Sequence, residues 1–279
     1  MTVLPDALPG MPERLFSCTP SRLAGFDCPR RYRFTYLDRP GPTRGRPWAH
    51  NTLGAVVHLA LARWWALPLP DRAPAAGERL VVESWKDDGF RDLDQSGRWR
   101  SIAAAWVRQY LRGVDPTRVP VGVECTVATT TDTLSISGRI DRLDECDGTL
   151  TVVDYKTGTH VYSHDDARDS QALALYALAA QRTLRRDCRR VEVHHLPTGT
   201  VAAFEHSESS LARHVSCAEE TAHHIVSATR AWEAGTDADD AFPPRPAPSC
   251  TWCDFRPYCP EGRSASGEFQ SWAGLDANG

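Results

Sequence analysis

Residues 134–158 read LSISGRIDRLDECDGTLTVVDYKTG. In the first part, Leu134, Ile136, Gly138 and Ile140 alternate with Ser135, Ser137, Arg139 and Asp141, the period-2 pattern of a half-buried strand. Val152 and Val153 then open a second strand that runs into Asp154-Tyr155-Lys156. Between the two lies Asp147-Gly148, a strong two-residue hairpin signal. With that pair at the turn centre, facing residues have numbers that add to the same total, so Asp141 faces Asp154 and Arg139 faces Lys156. Asp154 and Lys156 are two apart and share one face of the strand, while Tyr155 points to the other.

Two carboxylates opposed across a hairpin, about 4.5 to 5.5 Å apart at Cβ, repel unless something neutralises them. A divalent cation does so, and hard carboxylate oxygens suit Mg²⁺ or Mn²⁺, which complete their shells with water and substrate phosphate. Lys156 is one of only two lysines among 32 basic residues. Where arginine is the default cation, a compact ammonium on a flexible stem points to a role beside a water molecule. The strand from Val121 to Thr129 brings Glu124 near Arg139, where it either supports metal-bound water or pairs with Arg139. His58 lies in the apolar helical stretch Leu53–Ala62, one turn after Gly54, which permits close approach of a strand; its imidazole either completes a metal shell or is a satisfied core residue.

A second constellation is made of thiols. Cys250, Cys253 and Cys259 form a C-x2-C-x5-C run near the C-terminus, and Cys28 lies in Phe26-Asp27-Cys28-Pro29-Arg30-Arg31-Tyr32 near the N-terminus. Four thiolates suit zinc or an iron–sulfur cluster, and their spacing leaves both open. Cys18, Cys125, Cys146, Cys188 and Cys217 are isolated. Nine cysteines, an odd number, fit a reducing compartment rather than a disulfide framework.

Gly138-Arg139-Ile140-Asp141-Arg142, Asp154-Tyr155-Lys156-Thr157-Gly158, the upstream Gly54–His58 helix and a following helix with Gln171 and Tyr176 together resemble RecB-like nucleases of the PD-(D/E)xK superfamily. The resemblance spans nearly the whole chain. It implies an α/β, restriction-endonuclease-like mixed sheet flanked by helices. It also implies His58, Asp141, Asp154 and the Tyr155 carbonyl as metal ligands, Lys156 positioning the attacking water, and Glu124, Tyr176 and Gln171 in support. The family spaces that Gln and Tyr four apart; here they are five apart, about 140° around a helix rather than 40°, which favours Tyr176. By the same resemblance Cys28, Cys250, Cys253 and Cys259 hold a 4Fe-4S cluster that staples the chain ends, as in CRISPR-adaptation nucleases, with zinc the lesser alternative.

The chain of 279 residues, 41% hydrophobic with net charge −4, can bury a large core and disfavours polyanion binding by its whole surface. No apolar run reaches the ~18 residues of a membrane span and no signal peptide is evident, so a cytoplasmic protein without membrane contact is expected. Candidate nucleic-acid contacts are Arg30, Arg31 and Arg33, and the run Arg182, Arg185, Arg186, Arg189, Arg190, placed on either side of the metal site. Helices are expected near 20–37, 49–66, 99–112, 168–186 and 208–234, and strands within 121–156 and near 190–196 and 200–206. One domain over 14–262 should contain a partly helical insertion at about 67–112, a Pro/Asp-rich linker at 236–249 and a cysteine segment at 249–260, followed by a mobile tail, 263–279. The expected function is a metal-dependent DNA nuclease acting on ends or single strands in repair or recombination, with a helicase or repair partner. A CRISPR-adaptation-type trimming nuclease and a non-catalytic DNA-binding scaffold are the alternatives.

Overall fold

The computed structural model describes residues 15–276; residue 14, where the domain was expected to start, and the last three residues lie outside them. Six strands form one mixed sheet: β1 (Phe16–Cys18), β2 (Gly122–Thr130), β3 (Leu134–Cys146), β4 (Thr149–Lys156), β5 (Cys188–His195) and β6 (Thr200–Glu205). The hairpin has the expected register, from Arg142 opposite Val153 to Cys146 opposite Thr149. Asp147 and Gly148 both take positive φ at its turn, as a type I′ turn requires. The alternation along β3 ends at Arg142–Leu143, where both residues are buried: Leu143 joins an apolar cluster while the Arg142 guanidinium lies over the Trp65 and Tyr155 rings.

β3 organises the sheet. On one side β2 runs antiparallel along residues 135–143. On the other, parallel β1 covers only Leu134–Ile136 and β4 only Arg142–Cys146. Residues 137–141 of β3 therefore have no strand beside them on that side among the described residues, and the C-terminal ends of β1 and β4 face each other across that gap. β4 continues into parallel β5, and β5 into antiparallel β6.

Helices cover both faces. α1 (Pro20–Ala24) and α2 (Pro29–Tyr36) replace the single expected helix, because Cys28 precedes proline and is extended (φ −126, ψ 107). α3 (Ala49–Trp65), α4 (Pro74–Ser84) and α5 (Leu93–Arg112) enclose a core with Val153 and Tyr155 of β4. The stretch expected to be partly loop is thus mostly helix and packed. Pro74 opens α4, the Asp92 carboxylate accepts the Gln95 N–H to cap α5, and a Cβ at Gly77 would collide with Leu111. The single helix expected over 168–186 divides into α6 (His164–Asp169) and α7 (Gln171–Leu184), because Ser170 is extended and its hydroxyl caps α7. α8 (Glu208–Glu233) follows β6. The three-residue β1 was not expected from sequence, whereas α4 falls within the stretch expected to be partly helical.

The segment after Gly262 was expected to be mobile; its described residues make contacts with the start of α3. Ala49 N–H donates to the Ser271 carbonyl at 3.0 Å, the Ser271 hydroxyl to the Gly89 carbonyl at 2.8 Å, and Leu275 enters the α3 core. The tail therefore caps the N-terminal end of α3.

His206 is 1% exposed, with Nδ1 bonded to the Ser210 hydroxyl at 2.9 Å and Nε2 buried without a partner. Burial, with the nearby His214 and Arg213, pulls its pKa down to about 4. Between pH 6.5 and 4 the unfolded chain takes up a proton that the folded chain does not, so stability is intact above this window and falls with pH through it. Thermal melts should show a loss on the order of 2 kcal/mol by pH 4.5 that His206→Gln largely removes; an unchanged pH slope in that variant would rule out His206 as the cause.

Candidate functional site

The site lies in the gap beside β3. There β3 and β4 diverge, and the Asp141 carboxylate takes the place of a ladder carbonyl: Oδ2 accepts the Tyr155 N–H at 2.9 Å. Its Oδ1 lies 3.3 Å from His58 Nδ1, and His58 Nε2 donates to the Tyr155 carbonyl at 3.0 Å. With both ring nitrogens facing oxygen acceptors, the imidazole is best satisfied when doubly protonated. Burial opposes that charge, but the Asp141 carboxylate outweighs it and His58 titrates above its ordinary value. Burial likewise pushes against ionisation of Asp141, while His58 and the Tyr155 amide hold its pKa below normal.

Glu124 completes the cluster. Ligand atoms of His58, Glu124 and Asp141 all lie within 4.8 Å of one another. Glu124 has φ 48, a conformation uncommon for a non-glycine residue and typical of constrained functional positions. Burial raises its pKa, against the opposing charge of Arg139, with which it pairs at 2.7 Å. Asp154 sits beside this group, its Oδ2 2.6 Å from Lys156 Nζ. That oxygen is buried, and its close contact with the ammonium is not aligned as a hydrogen bond. Burial raises the Asp154 pKa despite Lys156, and Asp141 adds repulsion; burial opposes the charge on Lys156, yet Asp154 keeps its pKa above normal. Neighbouring carboxylates pushed in opposite directions are a mark of functional sites.

Carboxylate oxygens, an imidazole and the Tyr155 carbonyl make a hard donor set that fits Mg²⁺ or Mn²⁺, and the largely buried carboxylates of Asp141 and Asp154, whose charges repel each other, are groups that a cation would stabilise. Among the sequence expectations, Arg139 does not face Lys156: each cation pairs with its own carboxylate, because the strands part before that register is reached. Gly54 does allow close approach, since a Cβ there would stand 3.3 Å from the Thr157 hydroxyl. Tyr176 packs so tightly on Gly138 that a Cβ at 138 would enter its ring. Its pKa is raised by burial and then by Asp154 and Asp141, so it borders the site. Gln171 lies in the first turn of α7 and, among the described residues, its side chain has no hydrogen-bond partner; the five-residue spacing separates it from Tyr176.

Sequence reasoning missed what holds Tyr155. Arg142, 6% exposed, donates at 2.8 Å to both the Tyr155 and Tyr110 hydroxyls and pairs with Asp144 at 2.8 Å. The Tyr110 O–H donates to His194 Nδ1 at 2.9 Å, and His194 Nε2–H to Glu192 at 2.8 Å. This network fixes, from behind the sheet, the residue whose amide and carbonyl meet Asp141 and His58. The only signal in the sequence was an arginine at an apolar position between Ile140 and Leu143.

The arginines expected to track phosphates are differently placed. Arg30 and Arg33 are buried and tie the chain ends together, Arg30 to Asp239 and Glu261, Arg33 to Asp38 and Asp239. Arg31 is half-buried and borders the cysteine cavity. Arg182 bonds Thr129 and the Thr130 carbonyl, Arg186 pairs with Glu145, Arg189 with Asp187, and Arg190 with Glu192; Arg185 caps α7 in the left-handed conformation. Cys188, within this run, pairs with Leu150 at the start of β4, about 20 Å of strand from Lys156. Replacing Arg182, Arg185 and Arg186 together by serine should therefore leave nucleic-acid affinity and its salt dependence unchanged. A salt slope flatter by about three units in a binding titration would restore them as contacts.

The four cysteines do converge. Cys28, Cys250, Cys253 and Cys259 line one cavity with Arg30, Arg31, Phe34 and Arg256. Arg30 lies 3.6 Å from the Cys259 sulfur, which also accepts the Gly262 N–H at 3.3 Å, while Cys250 accepts the Ala247 N–H at 3.4 Å. Four convergent cysteine sulfurs fit an iron–sulfur cluster or zinc.

The sequence matches the family model described as "PD-(D/E)XK nuclease superfamily" over residues 17–260. No curated protein matches the chain. Among solved structures, a candidate exonuclease from Eubacterium rectale is similar at 9% identity and a TM-score of 0.45, over 78% of this chain and 82% of that one.

Proposed function

Because the chain belongs to the PD-(D/E)XK nuclease superfamily, a family of metal-dependent phosphodiester hydrolases, we propose that it is a Mg²⁺- or Mn²⁺-dependent deoxyribonuclease that processes DNA ends or single strands in repair or recombination. The observation that carries this reading is the convergence of His58, Glu124 and Asp141 beside the Asp154–Lys156 pair. Asp141, Asp154, Glu124, His58 and the Tyr155 carbonyl would hold the ion. When bound, it supplies charge against the scissile phosphate and lowers the pKa of its water.

The chain's own groups do the rest. Lys156, partly exposed and anchored by Asp154, presents an ammonium at the mouth of the gap, where it orients a water or a phosphate oxygen by hydrogen bonds. His58 carries a proton between Asp141 and Tyr155, so taking up a cation there means releasing that proton. Tyr176 walls the gap against Gly138 and limits water access. The Arg142 network keeps the Tyr155 backbone in register with both.

We also propose a 4Fe-4S cluster on Cys28, Cys250, Cys253 and Cys259. Four cysteines from both ends of the chain lining one cavity support this reading, and zinc on the same thiols is the alternative.

The reading is tested by incubating protein purified without air with end-labelled single- and double-stranded DNA, with Mg²⁺, Mn²⁺ or EDTA. Metal-dependent shortening of labelled strands is expected. Binding without any cleavage would instead favour a scaffold that keeps the fold without turnover.

A further inference from the structure

Aromatic side chains are mostly buried in this protein, with one local exception. Among the described residues the exposed aromatic rings are Trp252, Tyr258 and Phe269, at 37%, 48% and 45%, all in the C-terminal segment. Trp252 and Phe269 lie against each other with centroids 5.0 Å apart. Trp252 is in turn anchored on the start of α3, 5.2 Å from Trp48 and 5.3 Å from His50, and Trp48 Nε1–H donates to Asp254 at 2.9 Å. The rings are therefore rigidly mounted although their outer surfaces meet solvent.

The mounting points along α3 toward the metal site. His50, Gly54 and His58 are spaced four apart and so fall on one stripe of the helix. His50 touches the aromatic patch, Gly54 faces Thr157 just after Lys156, and His58 contacts Asp141. Eight residues of helix span about 12 Å, three or four nucleotides of a stacked strand at about 3.4 Å each. In the middle of this stripe Gly54 lets the Thr157 hydroxyl, one residue past Lys156, come close to the helix. Beside the rings, Arg44 and Arg46 are exposed, and among the described residues neither has an ion-pair partner; their loop is tied to the patch by Gly45 N–H donating to the Asp254 carbonyl at 3.3 Å.

We propose that Trp252 and Phe269, flanked by Arg44 and Arg46, form a platform on which unpaired bases of a single strand stack while its phosphates lead along α3 into the metal site. The proposal rests on the nuclease reading and names the substrate's path. Rings with exposed faces beside unpaired guanidiniums, continuous with a site for phosphodiesters, match a single strand in both chemistry and direction. A rigid platform orders several nucleotides at small entropic cost and tolerates any sequence, since every base has a π-face.

The test is fluorescence anisotropy of a labelled oligo-dT and a blunt duplex in EDTA, together with cleavage rates at saturating DNA. Phe269→Ala, which removes the ring lying against Trp252, should weaken single-strand binding about tenfold, with the duplex affected less and the saturating cleavage rate unchanged. Trp252→Leu should do the same and Trp252→Phe should restore affinity. Arg44→Ser with Arg46→Ser should flatten the salt dependence by about one to two log units per log unit. Photocrosslinking of a bromouracil placed three or four nucleotides from the cut should mark the peptide carrying Trp252 or Phe269. If the wild type cuts and binds single strands but Phe269→Ala and Trp252→Leu bind equally well, the platform is overturned and the nuclease reading stands. If the wild type neither binds nor cuts nucleic acid, both fall.

Discussion

Asp154→Asn and Asp141→Asn should each abolish metal-dependent cleavage, with losses of about a thousandfold or more, because each removes several kcal/mol of transition-state charge stabilisation. The substitutions keep side-chain shape, so their effects on folding should be small and separable. Asparagine at 141 can still accept the Tyr155 N–H through its carbonyl, but it no longer draws charge onto His58. At 154 the change removes the partner of Lys156 and the buried oxygen that lacks an aligned bond. Lys156→Ala should lose activity to a similar degree yet still bind Mn²⁺, since the oxygen donors remain. Calorimetric Mn²⁺ titration therefore divides the three: weakened for the two acids, near wild type for the lysine. An Asp154→Asn protein that cut DNA at the wild-type rate in Mg²⁺ would remove the proposed site altogether.

The hairpin from Arg142–Val153 to Cys146–Thr149 is legible in the amino-acid sequence because hairpin register is a local property. Asp147-Gly148 fixes the turn and the period-2 pattern fixes which face each side chain takes, but beyond Arg142 and Val153 the strands part, so the turn does not by itself make Asp141 and Asp154 a facing pair. Glu124 beside Arg139 follows from the same logic one strand away, although its left-handed backbone does not. Sequence reasoning fails where distant segments decide the outcome. Three residues of β1 carry too little pattern to be seen, yet by stopping at Cys18 they leave the gap that the site occupies. Arg30 and Arg33 read as a basic surface, but Asp239 and Glu261, more than two hundred positions on, bury them as ion pairs. Likewise the contacts of the polar tail with the distant α3 core, which takes in Leu275, are not readable from its own residues. Arg142 inverts the usual expectation: a charge at an apolar position is tolerated because two tyrosine hydroxyls, a carboxylate and two aromatic faces satisfy it, and its burial is what steadies Tyr155.

Removing a single cluster cysteine should have the second large effect, this time on stability. In the proposed staple, Cys28 alone links the N-terminal segment to Cys250, Cys253 and Cys259, closing a loop of about 220 residues. On the chain-entropy argument used for cross-links, such a closure is worth about 5 kcal/mol, and its loss should lower the melting temperature by about 10–20 °C. The pairs of the buried Arg30 and Arg33 with the exposed Asp239 and Glu261 bridge the same segments and would remain, so Cys28→Ser should fold at low temperature but melt early. Wild-type protein prepared without air should be brown and contain iron and sulfide, and Cys28→Ser or Cys253→Ser should lose colour and stability together. Cys217→Ser, at an exposed position on α8 outside the cavity, is the control and should change neither. Zinc without iron in the purified protein would convert the staple to a structural zinc site, while a colourless, metal-free protein with unchanged melting in Cys28→Ser would show that the ion pairs alone join the chain ends.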